Sequence, residues 1–149
     1  MKTSFYGNIT RNYTGKEVLL GCMVLVDQYT FMFIGLVNNN QQLYTHLQAS
    51  GFILIFKPTV QYFNNGKRTV KGNVDAELVL HAAATEYPNY EKAIIISGDG
   101  DFACLIDFLD KNNKLLHVIT PSHNYSKLLK PFSKYIIEVD QLKNWLNTK

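Results

Sequence analysis

The sequence contains few cysteines and no long hydrophobic run. Two cysteines, Cys22 and Cys104, are too few for a disulfide framework or a four-cysteine zinc site, and we expect both to be buried apolar residues. The most apolar stretch, residues 18–33, is interrupted by an aspartate, a glutamine and a threonine. A membrane-spanning helix needs about 18 or more consecutive apolar residues, so the sequence argues against a membrane protein.

Arginine and a strong excess of one charge are also lacking. Lysine and arginine together number 15 against 12 acidic residues, the formal net charge is +3, and the only arginines are Arg11 and Arg68. A basic excess of this size permits contact with nucleic acid without requiring it. The first 13 residues lack an apolar segment followed by a small-residue cleavage site, so we expect a cytoplasmic protein.

What is present is an alternation of strand-like and helix-like segments. The 149 residues are 46% hydrophobic, which suffices for a single domain over residues 1–149, and no linker or repeat divides them. The alternation favours an α/β fold with a parallel sheet. The predicted strands cover residues 30–37, 52–57, 93–97, 115–120 and 135–139. The predicted helices cover residues 41–49, 73–86, 101–112, 125–129 and 140–145, and residues 60–70 are predicted to form a hairpin.

Two aspartates follow the most apolar of the predicted strands. The segment Ser97–Asp101 reads SGDGD and lies where this strand ends and a helix begins, at the edge where open α/β sheets bind ligands. Asp99 and Asp101 repel each other at neutral pH unless a cation or a proton lies between them, and hard divalent ions such as Mg²⁺ suit such carboxylates. The alternative is structural: Asp101 caps the helix, and Asp99 is stabilised near the positive end of that helix.

A third aspartate has a helical spacing that places it near the same edge. Asp75 precedes Leu78 and Ala82 by three and seven positions, so it extends the apolar stripe of a helix whose predicted N-cap is Asn73. Glu77 lies off this stripe, and we expect it to be solvated. The alternative for Asp75 is a favourable interaction with the helix dipole alone.

Three blocks of sequence resemble one known family. The blocks are Lys71–Ala82 (KGNVDAELVLHA), Ala93–Leu109 (AIIISGDGDFACLIDFL) and Ile119–Ile136 (ITPSHNYSKLLKPFSKYI). In this order and spacing they are similar to the NYN domain family of the PIN-like nuclease superfamily, and the resemblance covers about residues 31–142. The pair of blocks with VD and SGDGDF carries the specificity, because either block alone is a weak signal.

The resemblance implies a fold, a metal and a reaction. The implied fold is a three-layer α/β/α sandwich on a mainly parallel sheet, PIN-like and Rossmann-like. The implied activity is hydrolysis of RNA phosphodiester bonds by a cluster of aspartates that binds Mg²⁺ or Mn²⁺. By position, Asp75, Asp99 and Asp101 match acidic site residues of the family. We expect these three residues to be both the catalytic residues and the metal ligands.

The usual first strand of the family, which ends in an aspartate, is missing from the pattern. The segment Phe5–Ile9 resembles the helix that follows that strand, so we expect the domain to be truncated at its N-terminus. An empty central position would expose unpaired backbone groups, and Met23–Val26 is the only spare apolar run that can fill it. Asp27 follows this run, but it lies so close to the next strand that a crossover helix has no room between them. We interpret Asp27 as part of the connection, with replacement of the missing acid as the alternative.

Basic and aromatic residues lie in and beside the predicted hairpin. Four of them are candidate phosphate contacts: Lys57, Lys67, Arg68 and Lys71. Tyr62 and Phe63 are adjacent and therefore lie on opposite strand faces, and one of them can stack on an unpaired base. The alternative is a solvated hairpin with an aromatic core face.

A second candidate nucleic-acid contact follows the predicted strand at residues 115–120. Asn124, Ser126 and Lys127 lie beyond its carboxyl end, where a phosphate can bind at a helix N-terminus. Ser126 can instead serve only as the residue that starts this helix.

Two functions remain open on the sequence. The leading hypothesis is a metal-dependent ribonuclease whose partner is RNA, which we expect to be single-stranded. The alternative is a non-catalytic RNA-binding or protein-interaction module with a degenerate PIN-like site, and the missing first acid is the reason to consider it. We expect no membrane association, and a homo-oligomer remains open.

Overall fold

The computed structural model describes residues 23–26, 29–58, 60–64, 67–71 and 74–142. The strands are β1 (Met23–Val26), β2 (Tyr29–Gly35), β3 (Phe52–Lys57), β4 (Val60–Asn64), β5 (Lys67–Lys71), β6 (Ala93–Ile96), β7 (Leu115–Thr120) and β8 (Ile136–Glu138). The α-helices are α1 (Gln41–Ala49), α2 (Asp75–Leu80) and α3 (Ala103–Lys111). A π-helical segment, His81–Thr85, continues α2, and 3₁₀ segments cover Tyr87–Asn89, Gly100–Phe102 and Lys127–Tyr135. Residues 139–142 are helical.

A mixed six-stranded sheet forms the centre of the fold, in the order β3-β2-β1-β6-β7-β8. The pairs β2–β3, β6–β7 and β7–β8 are parallel, whereas β1 is antiparallel to both of its neighbours. Strands β4 and β5 form a separate antiparallel hairpin. The predicted α/β fold on a mainly parallel sheet is therefore confirmed, and the predicted hairpin is present.

Strand β1 occupies a central position between β2 and β6. The spare apolar run Met23–Val26 thus pairs on both sides and fills the otherwise empty position, which is one of the alternatives that the sequence leaves open. Met23 is paired with Ile96 and Val26 with Ala93, so β1 ends at the edge where β6 begins. Asp27, the residue after β1, lies outside the described residues.

Helices cover both faces of the sheet and make it a three-layer fold. On one face, the main core includes Phe31, Phe33 and Ile95 of the sheet together with residues of α2 and α3. On the other face, Met32 and Ile34 pack with residues of α1. The alternation along β2 follows from the two-residue period of a strand, which sends successive side chains to opposite faces. Burial of apolar area on both faces is the main stabilising term of such a sandwich.

Local signals account for α1 and its boundaries. Helix α1 covers the predicted residues, and Gly51 follows its C-cap with a φ of 89°, a left-handed conformation that glycine adopts without steric cost. Helix α2 begins at Asp75 after Val74, and the predicted N-cap Asn73 lies outside the described residues. The predicted short helix before Pro131 is wrong in type and extent, because 3₁₀ turns extend from Lys127 to Tyr135 with a kink at Phe132.

Tyr90 and Lys114 connect the segments at the edge where β6 and β7 begin. The Tyr90 hydroxyl donates to the carbonyl oxygen of Ala82, and Lys114 Nζ donates to the carbonyl oxygen of Tyr87 at 2.7 Å. Lys114 Nζ also lies 4.5 Å from the centroid of the Tyr90 ring. Burial raises the pKa of Tyr90 to about 12, because the phenolate is poorly solvated there.

Candidate metal and nucleic-acid site

Five strands end at the same edge of the sheet, which we call the site edge. Strands β2, β3, β6, β7 and β8 run in one direction, and β1 runs in the other. The site edge is marked by Lys57 at the end of β3, Ile96 at the end of β6 and Thr120 at the end of β7. Polar residues that follow these strands therefore converge in space although they are distant in sequence.

Asp75, Asp99 and Asp101 form an acidic cluster at the site edge. One carboxylate oxygen from each residue lies within 4.8 Å of the other two, and Asp75 is half-buried while Asp99 and Asp101 are exposed. Two oxygen ligands on opposite sides of an ion at about 2.1 Å are separated by about 4.2 Å, so small side-chain rotations bring this set into the range of a hard divalent cation. The three oxygen donors fit Mg²⁺ or Mn²⁺ by their chemistry.

Hydrogen bonds within the SGDGD turn fix the position of Asp99. The Ser97 hydroxyl accepts from the Asp99 amide at 3.1 Å, and Asp99 Oδ1 accepts from the Asp101 amide at 3.0 Å. The structural alternative for this pair predicted Asp101 as the helix cap, which is wrong, because Asp99 occupies the cap and Asp101 lies inside the 3₁₀ turn that leads into α3. Asp99 therefore both starts the helical segment and contributes to the acidic cluster.

The loop after β7 packs directly on this turn through two glycines. The Ser126 amide donates to the carbonyl oxygen of Gly98 at 2.9 Å. A Cβ atom built on Gly100 would lie 3.0 Å from Ser126 Cβ and 2.9 Å from Leu128 Cδ1, with the Ser126 hydroxyl closer still. Glycine is therefore required at position 100 by the close approach of the second loop. The sequence predicts a role for Ser126 but not this contact.

Two buried hydroxyl groups lie beneath the site edge. Extending the β6–β7 register by one residue makes Ser97 and Thr120 neighbours on the face that carries Ile95 and Val118. Thr120 is 0% exposed, and its Oγ1 has no hydrogen-bond partner among the described residues. Leaving a buried hydroxyl without a partner costs on the order of 1 to 3 kcal/mol, so we expect a stability cost at this position.

Lys57 lies at the site edge, but it is paired. Its Nζ is 2.6 Å from Glu77 Oε1, and both side chains are 33% exposed. Glu77 is half-exposed, as expected for a residue off the apolar stripe, but the sequence does not predict its ion pair. The hydrogen bond and the charge of Lys57 lower the pKa of the Glu77 carboxyl. The ion pair connects the end of β3 with the first turn of α2, beside Asp75.

The remaining candidate nucleic-acid residues fall into two groups. Asn124 and Lys127 are exposed at the site edge. Ser126 Oγ accepts from the Leu128 amide at 3.3 Å, so this hydroxyl caps the 3₁₀ segment, which favours the helix-start alternative. Lys67, Arg68 and Lys71 lie on β5, where the structure establishes their backbone register.

One cysteine prediction fails in the described part of the chain. The sequence predicts a buried Cys104, but this residue is exposed on the first turn of α3. It lies on the solvent side because the buried stripe of this helix is formed by Leu105, Ile106 and Leu109. Cys22 lies outside the described residues.

A comparison with protein-family models matches the NYN domain over residues 24–140. The chain therefore belongs to the NYN domain family, whose members are RNase-like nucleases with a PIN-like fold. Neither a comparison with curated proteins nor one with solved structures returned a match. Among the described residues, no helix is both long and apolar enough to cross a membrane.

Proposed function

We propose that this chain is a divalent-metal-dependent ribonuclease that cleaves RNA at the cluster of Asp75, Asp99 and Asp101. The observation that carries the proposal is the convergence of three carboxylates, from two separate segments, within 4.8 Å at the site edge. Membership of an RNase-like family supports RNA as the substrate. A cytoplasmic location and single-stranded RNA are parts of the same proposal.

Asp99 and Asp75 are held in the acidic cluster in different ways. The three aspartates would hold Mg²⁺ or Mn²⁺, and the bound ion would supply a water of lowered pKa and offset charge on the scissile phosphate. Asp99 is the ligand with the best-defined backbone, since Ser97 accepts from its amide and its own carboxylate accepts from the Asp101 amide. Asp75 reaches the cluster from the first turn of α2, and its partial burial would strengthen its attraction for a cation held there.

Metal-dependent cleavage of end-labelled single-stranded RNA tests this function. We expect cleavage with Mg²⁺ or Mn²⁺, none with a chelator, and a loss of at least about 100-fold in Asp99→Asn, because misplaced reacting groups cost about that much. Asp107→Asn is the matched control, since Asp107 lies on α3 in an ion pair with Lys111. Equal rates for the two variants would contradict the assignment of the cluster.

A non-catalytic RNA-binding or protein-interaction module is the second candidate, and strand β1 is the observation that favours it. Because β1 is antiparallel to β6, its carboxyl end lies at the edge opposite to the one where β6 ends, so strand β1 itself brings no acid to the site edge. On this alternative, the chain binds RNA or another protein without cleaving RNA at any metal concentration. RNA binding without cleavage in the experiment above would support the RNA-binding form of this module.

A further inference from the structure

The hairpin of β4 and β5 begins and ends at the site edge. It joins Lys57, the last residue of β3, to Asp75, the first residue of α2 and a member of the acidic cluster. Among the described residues, its two strands pair with each other and with no strand of the six-stranded sheet. The hairpin is therefore a separate antiparallel arm whose two ends lie, along the chain, within four residues of Lys57 and Asp75.

The charge of this arm is opposite to that of the cluster. From Lys57 to Val74 the sequence contains no aspartate or glutamate, and it contains Lys57, Lys67, Arg68 and Lys71. A basic segment beside three carboxylates is suited to a polyanion that must approach those carboxylates, because it offsets their repulsion of phosphate.

The register divides the hairpin into two unlike faces. Directly opposed residues of an antiparallel pair share a face, and the side alternates along each strand. The pairs Tyr62–Thr69, Asn64–Lys67 and Val60–Lys71 share the first face, and the pairs Phe63–Arg68 and Gln61–Val70 share the second. The first face thus combines one tyrosine with two lysines placed before and after it. The second face has one cation, a phenylalanine and a valine.

We propose that the first face, carrying Tyr62, Lys67 and Lys71, binds a single strand of RNA and leads it to the acidic cluster. Cations at both ends of this face can contact successive phosphates, and the aromatic residue between them can stack on an unpaired base. A duplex keeps its bases stacked inside and offers nothing to Tyr62. The inference rests on the proposed function for its substrate, but it concerns binding and not catalysis.

Single-charge variants of the full chain compare the two faces directly. Lys67→Gln, Lys71→Gln and Arg68→Gln each remove one positive charge, and binding of a labelled oligouridine strand is measured in chelator, where cleavage cannot occur. We expect the two lysine variants to lower the salt dependence of binding, by about 0.7 in the log–log slope for each phosphate that the variant no longer neutralises. Arg68→Gln removes the same charge from the second face, so on this inference it should lower the slope by less than either lysine variant.

Aromatic variants test the stacking step. Tyr62→Leu should weaken binding by about tenfold, whereas Phe63→Leu should have little effect. Tyr62→Phe keeps the aromatic face and should bind like the parent chain, so it separates stacking from any loss of hairpin structure. A duplex of the same length should compete poorly with the single strand.

The outcomes separate this inference from the proposed function. If no variant or parent chain cleaves RNA but the first-face variants alone weaken binding, the inference stands and the ribonuclease proposal fails. If cleavage depends on metal and Asp99 but both faces respond equally, the inference is overturned and the ribonuclease proposal stands. Equal binding of single strand and duplex, or loss of binding in Tyr62→Phe, would also overturn the inference.

Discussion

The Ser126 amide donates a hydrogen bond to the carbonyl oxygen of Gly98 at 2.9 Å. This bond joins the loop after β7 to the turn that carries Asp99 and Asp101, so the acidic cluster is supported from a part of the chain that contributes no acid to it. The closeness of the two loops makes the backbone of the SGDGD turn sensitive to substitutions that add a single carbon atom.

Gly100→Ala should destabilise the protein by roughly 1 to 3 kcal/mol, the usual cost of overpacking. Its Cβ would lie 3.0 Å from Ser126 Cβ, so the two loops must separate. Gly98→Ala is the matched control, because its Cβ would lie 3.4 Å from Tyr125 Cβ, an ordinary contact distance. Thermal unfolding of both variants measures the difference, and equal melting temperatures would count against the packing argument.

Millimolar Mg²⁺ or Mn²⁺ should raise the melting temperature of the parent chain. A cation that binds only the folded state stabilises it by about 2.7 kcal/mol at a concentration 100 times its Kd. Asp99→Asn should lose most of this increase, whereas Asp107→Asn should keep it. A thermal scan with and without metal provides the measurement, and an increase that persists in Asp99→Asn would locate the cation elsewhere.

Glu77→Gln should increase RNA affinity by severalfold. The substitution removes the carboxylate that holds Lys57 at 2.6 Å and leaves this lysine available to phosphate at the site edge. Glu86→Gln removes the same charge from a residue whose carboxylate accepts from Asn89. Binding titrations at one salt concentration compare the two variants, and an equal effect would indicate net charge alone.

Alkali should destabilise the fold through Tyr90. Its pKa is raised from 10.0 to about 12, so the folded state holds the proton more tightly, and stability is lost as the pH rises from about 10 toward 12. Tyr90→Phe should show a smaller decrease over this interval and, at neutral pH, a loss of about 1 kcal/mol for the hydrogen bond to Ala82. Denaturant unfolding at a series of alkaline pH values measures both effects, and Tyr29→Phe, at a position 58% exposed, is the control.

Thr120→Val should raise the free energy of unfolding by about 1 kcal/mol. The substitution replaces a buried hydroxyl that lacks a partner among the described residues with a methyl group of similar size. Thr45→Val on the exposed side of α1 provides a control of the same chemistry, and chemical denaturation compares the two. A loss of stability in Thr120→Val would show that the hydroxyl makes a favourable bond.

Several elements could be predicted because their signals are local. Strands β3 and β7 and helix α1 have the predicted bounds, since apolar runs and helical periodicity depend on neighbours within a few residues. Asp99 and Asp101 are predictable for a similar reason, because a strand-to-helix turn with two aspartates indicates a ligand-binding edge.

By itself, then, the sequence determined the main strands, the helices that cover them and the three aspartates. Tertiary structure decided the antiparallel direction of β1, the pairing of Lys57 with Glu77 and the contact of Gly100 with Ser126. The last two join residues that are 20 or more positions apart, and the direction of β1 depends on pairing with β6, about 70 residues away. Such relations depend on how distant segments meet, which local periodicity does not encode.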